Sequence, residues 1–289
     1  MARVKNFDQI TGNIGKLSFY TRKGSSEIFV RTKGGASKEK IKRDPAFANL
    51  RKANKEFGGC SKMSKQIRMA FYGLEHVAEY NLAPALSALA KNIQKTDEIH
   101  PSGERDIALS KYRFLLSGFD FSRSTRFNSL LRVPLSYKME RDKQQAVVNI
   151  PAFACSFGLN LNQSMMNAHA ITKNLTYNQF RITAALGIVT DMQLNAANKT
   201  YEPVHDKLGQ GFQTVSTPWY STQTTVPEQK LMLKLISQHT NEDNNISTAN
   251  FTDADTLVLT VILEFGAPDA FGTIMPIRGA GGGMILGVE

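Results

Sequence analysis

Six residues near the start of the chain have types and a spacing that suit contact with nucleic acid. Within GKLSFYTRKGSSEIFVRTK, Lys16, Tyr20 and Arg22 alternate with Leu17, Phe19 and Thr21, and Phe29, Arg31 and Lys33 alternate with Ile28 and Val30. Successive strand residues face opposite sides. Two strands here gather Lys16, Tyr20, Arg22, Phe29, Arg31 and Lys33 on one face, with Leu17, Phe19, Ile28 and Val30 on the other. Aromatic rings set between cations stack on bases while the cations meet phosphates. The same face also suits burial under a neighbouring subunit, with Lys and Arg stems laid across the rings. In both readings the apolar face anchors the hairpin and the basic aromatic face is covered by a partner. Lys38, Lys40, Lys42 and Arg43 follow closely and offer further phosphate contacts.

Other chemistry is thinly represented. His76, His100, His169, His205 and His239 are dispersed, and no His-Glu-x-x-His or Cys/His cluster gives metal-ligand spacing. No Gly-x-Ser-x-Gly nucleophile elbow occurs. Gly12-Asn13-Ile14-Gly15-Lys16 has two residues between its glycines and Leu17 after the lysine, so it is not a phosphate-binding P-loop. Glu242-Asp243 and Asp253-Ala254-Asp255 sit among Asn and Thr and read as turns and caps. No catalytic residue, cofactor site or metal site is expected. A catalytic pair assembled from distant residues is the remaining route to an enzyme, of unknown class.

The charge is concentrated. The chain has 289 residues and a net charge of +10. Residues 1–70 hold 17 Lys/Arg and 5 Asp/Glu, against 18 and 20 in the remainder. A basic segment of this kind attracts phosphate, anionic lipid or an acidic protein surface. With 42% hydrophobic residues the chain can bury a sizeable core. No run reaches the roughly eighteen apolar residues of a membrane span. The opening MARVKNFDQITG lacks an apolar signal segment, so the cytoplasm is the expected place of synthesis, with the final location open. Cys60 and Cys155 form no Cys-x-x-Cys pair and read as small buried hydrophobes.

The elements that must position these residues are an α+β set: an N-terminal β-hairpin and an α-helical hairpin, then an antiparallel β-sandwich or barrel. The expected boundaries are 1–36 for the basic hairpin arm, 37–100 for the helical segment and 106–289 for the β domain. Asp44-Pro45 is a helix start, with Asp as cap and Pro in the first turn. Phe47, Leu50, Asn54, Phe57 and Cys60 follow at helical spacing, extended by Ile67 and Phe71. Gly58-Gly59 is placed to end or kink this helix. A second helix beginning near Pro84 presents Leu82, Leu86, Leu89 and Ile93. From residue 106, SKYRFLLSGFDF, LLRVPLSYKM, QAVVNIPAF, YNQFRITAALGIV, EQKLMLKLISQ and DTLVLTVILEF read as strands, with a hairpin turn at Glu140–Lys143. Residues 156–176 read as a long loop or a short helix.

The stretch GNIGKLSFYTRKGSSEIFVRTKGG, followed by RDPAFANLRKANKEFGG, resembles the N-terminal signature of an uncharacterised family of Bacteroidota proteins. Gly12, Gly15, Phe19, Tyr20, Arg31, Asp44, Pro45, Phe47 and Phe57 carry the likeness. The resemblance implies the order hairpin, helices, β-rich remainder, and a bacterial source. It implies no activity.

The chain ends GTIMPIRGAGGGMILGVE. Only six residues follow Gly283, so the glycines do not open a dinucleotide-binding helix. They allow a bulge or close backbone approach. They also let a last strand, Met284, Ile285, Leu286 and Val288, pair with a neighbouring subunit. The leading expectation is therefore a non-enzymatic structural subunit that assembles with copies of itself into a fibre, tube or phage-like particle. The alternative is a nucleic-acid-binding protein that uses the basic hairpin and helix.

Overall fold

Met1–Arg51 and Lys52–Glu289 form separate units in a computed structural model of the chain. The structure describes residues 3–6, 9–21, 27–32, 34–161, 178–205, 211–235 and 251–289. In chain order the elements are β1 (Arg3–Asn6), β2 (Gln9–Ile14), β3 (Leu17–Thr21), β4 (Ile28–Thr32), α1 (Lys38–Arg43), α2 (Ala48–Met69) and α3 (Leu82–Gln94). There follow α4 (Phe127–Leu130), β5 (Ser136–Glu140), β6 (Gln145–Ile150), β7 (Phe153–Ala154), α5 (Cys155–Gly158), β8 (Gln179–Thr190), β9 (Met192–Asn195), β10 (Thr200–Pro203), β11 (Phe212–Ser216) and β12 (Tyr220–Ser221). The last are β13 (Thr225–Val226), β14 (Gln229–Lys234), β15 (Asp255–Pro268) and β16 (Ile274–Val288). The chain is α+β with antiparallel sheets.

The first unit is a four-stranded sheet in the order β1-β2-β3-β4, with α1 after it. The expected hairpin is β3 and β4. It is extended by β2, which pairs with β3 through Gly12–Phe19 and Ile14–Leu17. Gly15 takes φ +55° in the two-residue loop between them, where a hairpin needs a positive φ. Ser37 caps α1 by accepting from the Lys40 amide at 3.2 Å. Asp44 caps the turn Pro45–Phe47 by accepting from the Ala46 amide at 2.9 Å, and this turn leads into α2. Asp44→Ala is expected to cost about 1 kcal/mol in denaturant unfolding, the usual loss for such a cap.

In the second unit, α2 does not stop at Gly58-Gly59 but runs through to Met69. Gly59 is buried, and a Cβ there would lie 2.6 Å from the Tyr201 ring, so the glycine admits an aromatic ring rather than ending the helix. Gly58 has open space beside it. Gly58→Ala is therefore expected to stabilise the chain by about 0.5–1 kcal/mol through helix propensity. Gly59→Ala is expected to destabilise it, and thermal melting of the two variants reads both signs. The apolar stripe also differs from the expected one. Cys60, Met63 and Ile67 face the core, whereas Leu50 and Phe57 are exposed. The buried face repeats at 56, 59–60, 63–64 and 67, a register that Phe57 misses.

A central sheet, β11-β8-β15-β16, lies between two layers. On one face Ile182, Leu186, Leu259, Val261 and Leu263 pack with Val148 and Ile150 of β6 and Leu231 and Leu233 of β14. These last belong to a second sheet, β14-β6-β5, which completes a sandwich. On the other face Ala185, Val189, Val258 and Ile262 pack with Cys60, Met63 and Ile67 of α2 and Leu86, Ala90 and Ile93 of α3. The helices are thus a third layer. This explains the unbroken apolar run of β15: a strand covered on both faces shows no alternation. Asp255–Phe265 is buried at every position.

Three strand expectations change. LLRVPLSYKM is a strand only from Ser136, and its first leucine ends a short helix. SKYRFLLSGFDF forms short 3-10 turns at Leu109–Lys111 and Arg113–Leu116, because its amides bond three residues back, as Leu115 to Tyr112 and Phe119 to Leu116. The last strand is not a short tail after the glycines. β16 runs from Ile274 to Val288 straight through them and pairs with β15. A Cβ at Gly283 would lie 2.6 Å from Ile262 and 2.9 Å from Phe121, so side-chain-free positions let these neighbours close in. The hairpin turn at Glu140–Lys143 joins β5 to β6 with Glu140 opposite Gln145. Residues 162–177, most of the ambiguous 156–176 segment, and Glu242-Asp243 lie outside the described residues.

Candidate functional site

The register of β3 and β4 decides which side chains share a face of the first unit. Tyr20 stands opposite Phe29 and Ser18 opposite Arg31, while Leu17, Phe19 and Thr21 stand opposite Thr32, Val30 and Ile28. The Tyr20 and Phe29 rings stack at 5.8 Å between centroids. The Arg31 guanidinium lies 5.5 Å from the Tyr20 ring centre, on the same face. Lys16 is exposed in the β2–β3 loop. Arg22 and Lys33 lie outside the described residues. The structure therefore brings together Tyr20, Phe29 and Arg31.

The opposite face is open. Ile14, Leu17 and Val30 are 49%, 39% and 52% exposed. Among residues 10–21, 27–32 and 34–51, none is buried. Among the described residues of the first unit, no second layer packs on this face. Residues 1–51 carry 12 Lys/Arg against 4 Asp/Glu, so this unit holds most of the excess charge.

Met284, Ile285, Leu286 and Val288 are placed in β16, with β15 along one side. On the other side the Ile285 amide donates to the Phe119 carbonyl at 2.9 Å, and the Gly118 and Phe121 amides donate to the Ile285 and Gly283 carbonyls at 2.9 and 2.8 Å. Ile285 is fully buried. This strand therefore has β15 along one edge and residues 118–121 bonded to Gly283 and Ile285 on the other, both inside the chain.

Two polar clusters of the second unit were not foreseen. Glu264 stands opposite Arg181 in the β15–β8 ladder and is 1% exposed. Its carboxylate accepts from Arg181 Nε at 2.7 Å, Thr183 Oγ1 at 2.9 Å and His76 Nε2 at 2.9 Å. His76 Nδ1 lies 2.9 Å from the Gly73 carbonyl, so both ring nitrogens face acceptors, an arrangement that favours the protonated ring. Burial pushes the Glu264 carboxyl up, but the hydrogen bonds from His76 and Arg181 and the Arg181 charge outweigh it and hold the group below its ordinary value. Burial likewise pulls His76 down, and the bonds to Glu264 and Gly73 outweigh it and raise the ring.

In the second cluster His100 Nδ1 lies 2.7 Å from Asp97 Oδ2 and 3.8 Å from Asp106 Oδ2. Among the described residues this is the group whose donor atoms all lie within 4.8 Å, close enough to share a metal ion. Burial raises the Asp97 carboxyl, but the amides of Asp106, His100 and Ile99 and the His100 ring together bring it down to about 2. Asp97 Oδ2 already takes the Asp106 amide and the His100 ring, so the cluster is satisfied internally. The signal in the sequence was Asp97-Glu98-Ile99-His100, an acid and a histidine three apart. Cys60 and Cys155 are buried and free, and burial pushes the Cys60 thiol up to about 11, which leaves it unreactive.

No helix among the described residues is long and apolar enough to cross a membrane. No protein-family model, curated protein or solved structure matches the chain.

Proposed function

We propose that the protein is a non-enzymatic structural subunit that assembles with copies of itself into a fibre, tube or phage-like particle, and that its N-terminal unit makes the contact. One observation carries this reading. The first unit has an apolar sheet face, with Ile14, Leu17 and Val30 exposed, and no buried residue among positions 10–21, 27–32 and 34–51. A sheet is stabilised by burying one face against another layer. A unit of about fifty residues with no core of its own needs oligomerisation or another staple to be stable. The basic unit of one copy meets the second unit of the next, which is close to neutral with 23 Lys/Arg against 21 Asp/Glu, in a head-to-tail contact that builds open filaments where its rotation does not close. Amide hydrogen exchange tests the contact. Protection of β3 and β4 is expected to rise with protein concentration. Exchange that is independent of concentration across the assembly range would refute it.

The second reading is binding to single-stranded nucleic acid, and the Tyr20–Phe29 stack beneath Arg31 favours it. Under this reading Tyr20→Ala costs about 1–3 kcal/mol of affinity, the usual value of one base-stacking ring. Arg31→Ala lowers the salt slope by about 0.7, the share of one single-strand phosphate contact. Fluorescence anisotropy with labelled oligonucleotides measures both, and an unchanged affinity in the two variants sets this reading aside.

A further inference from the structure

Glu264 is the one acid in the buried run of β15 from Thr256 to Phe265, and the cations that satisfy it border an open space. His76, Arg181 and Arg278 line a cleft of about 500 Å3 together with Thr214, Ser216 and Glu264. Their charges do not cancel. Glu264 supplies one negative charge, already engaged by His76 and Arg181. Arg181 is also fixed from its other side, its guanidinium 4.6 Å from the Trp219 ring centre. Ser216 Oγ lies 2.8 Å from Thr183 Oγ1, which itself donates to Glu264, so a chain of hydroxyls runs from the buried acid to the cleft wall. Arg278 is exposed, and no ion pair holds it among the described residues.

From this geometry we infer that the cleft binds a small anion bearing a phosphoryl or carboxylate group, with Arg278 as the cation that meets it directly and Arg181 and His76 as the positive wall behind. The physical reason is the excess of positive charge lining the cleft. His76 and Arg181 meet one carboxylate while Arg278 lines the same space without an acid of its own among the described residues, and a guanidinium offers paired donors that match the oxygens of phosphate or carboxylate. Partial enclosure weakens solvent screening at such a wall. Glu264 serves as a positioning residue: it holds Arg181 and His76 in place and favours the protonated ring, without touching the ligand. The site goes beyond the assembly reading and is independent of it, since every residue named lies in Lys52–Glu289.

Thermal melting of the full chain tests the site. Inorganic phosphate and acetate are each titrated at constant ionic strength against potassium chloride. At least one is expected to raise the melting temperature above the chloride control, phosphate alone marking a phosphoryl ligand and acetate a carboxylate. Arg278→Glu lies on the surface and leaves the core intact. It is expected to weaken that anion's binding about tenfold or more, the loss of one charge-assisted contact. Thr214→Ala provides a second, milder variant with a smaller loss in the same direction. Melting that tracks chloride for both anions would overturn the proposal, and so would an Arg278→Glu protein that keeps the full shift.

Discussion

Glu264→Ala is expected to lower the stability of the second unit by about 3–5 kcal/mol, the usual cost of removing one partner from a buried ion pair. The loss is large because the side chain does not stand alone. It accepts from Arg181, Thr183 and His76 in the interior of β15, and its removal leaves two cations facing one another across an empty acceptor. Coulomb repulsion between them adds to the unmet hydrogen bonds. Urea unfolding followed by far-UV circular dichroism measures the change. pH supplies a second signature. His76 titrates above its ordinary 6.5, so its contribution is fully present below that value and fades as pH rises through the folded value. Glu264 titrates below its ordinary 4.5, so its contribution is present above that value and fades as pH falls through the folded one. The pair therefore stabilises most between about 4.5 and 6.5, and Glu264→Ala is expected to flatten both limbs. A variant that unfolds at the wild-type urea midpoint would show that the cluster contributes nothing net.

Gly187→Val is expected to be at least as damaging as an ordinary core overpacking, about 3 kcal/mol or more. Gly187 lies in β8, between Phe212 of β11 and Val258 of β15, and its open side faces α2. A Cβ there would lie 2.5 Å from both the Cα and the carbonyl oxygen of Ala70. Backbone rather than a flexible side chain stands in the way. The strand cannot retreat, because ladders on both sides and the second sheet beneath hold it. The last turn of α2 would have to lift from the sheet, exposing Ile67 and Phe71, both now fully buried. The same denaturant series reads the loss, and a near-neutral Gly187→Val would mean that the helix is free to move.

Much of the fold was legible because the signals are local. Period-two alternation placed β3 and β4 and grouped Tyr20, Phe29 and Arg31 on one face, and the cross-strand register agrees. Asp44-Pro45 marked the approach to α2, and the apolar run at 256–265 marked β15. What failed was local pattern without tertiary context. Gly58-Gly59 looks like a helix stop until Tyr201, more than a hundred residues away, is seen to need the space. The Phe57 side chain fits a helical stripe, but the sheet selects the neighbouring face. The terminal glycines read as a flexible link, whereas they let Phe121 and Ile262 approach β16. The Glu264 cluster was invisible for a plainer reason. Its partners sit 83 and 188 positions away, and no spacing in one sequence links them.

The central claim is that copies of the chain meet through the N-terminal sheet. Size-exclusion chromatography with light scattering, on nuclease-treated protein at low and moderate salt, tests it most directly when wild type and a Leu17→Asp/Val30→Asp variant are run side by side. A wild-type species well above 32.0 kDa and free of nucleic acid, with the variant reduced to a monomer, is the predicted result. A wild-type monomer across the concentration range, or a variant that assembles as the wild type does, would contradict it.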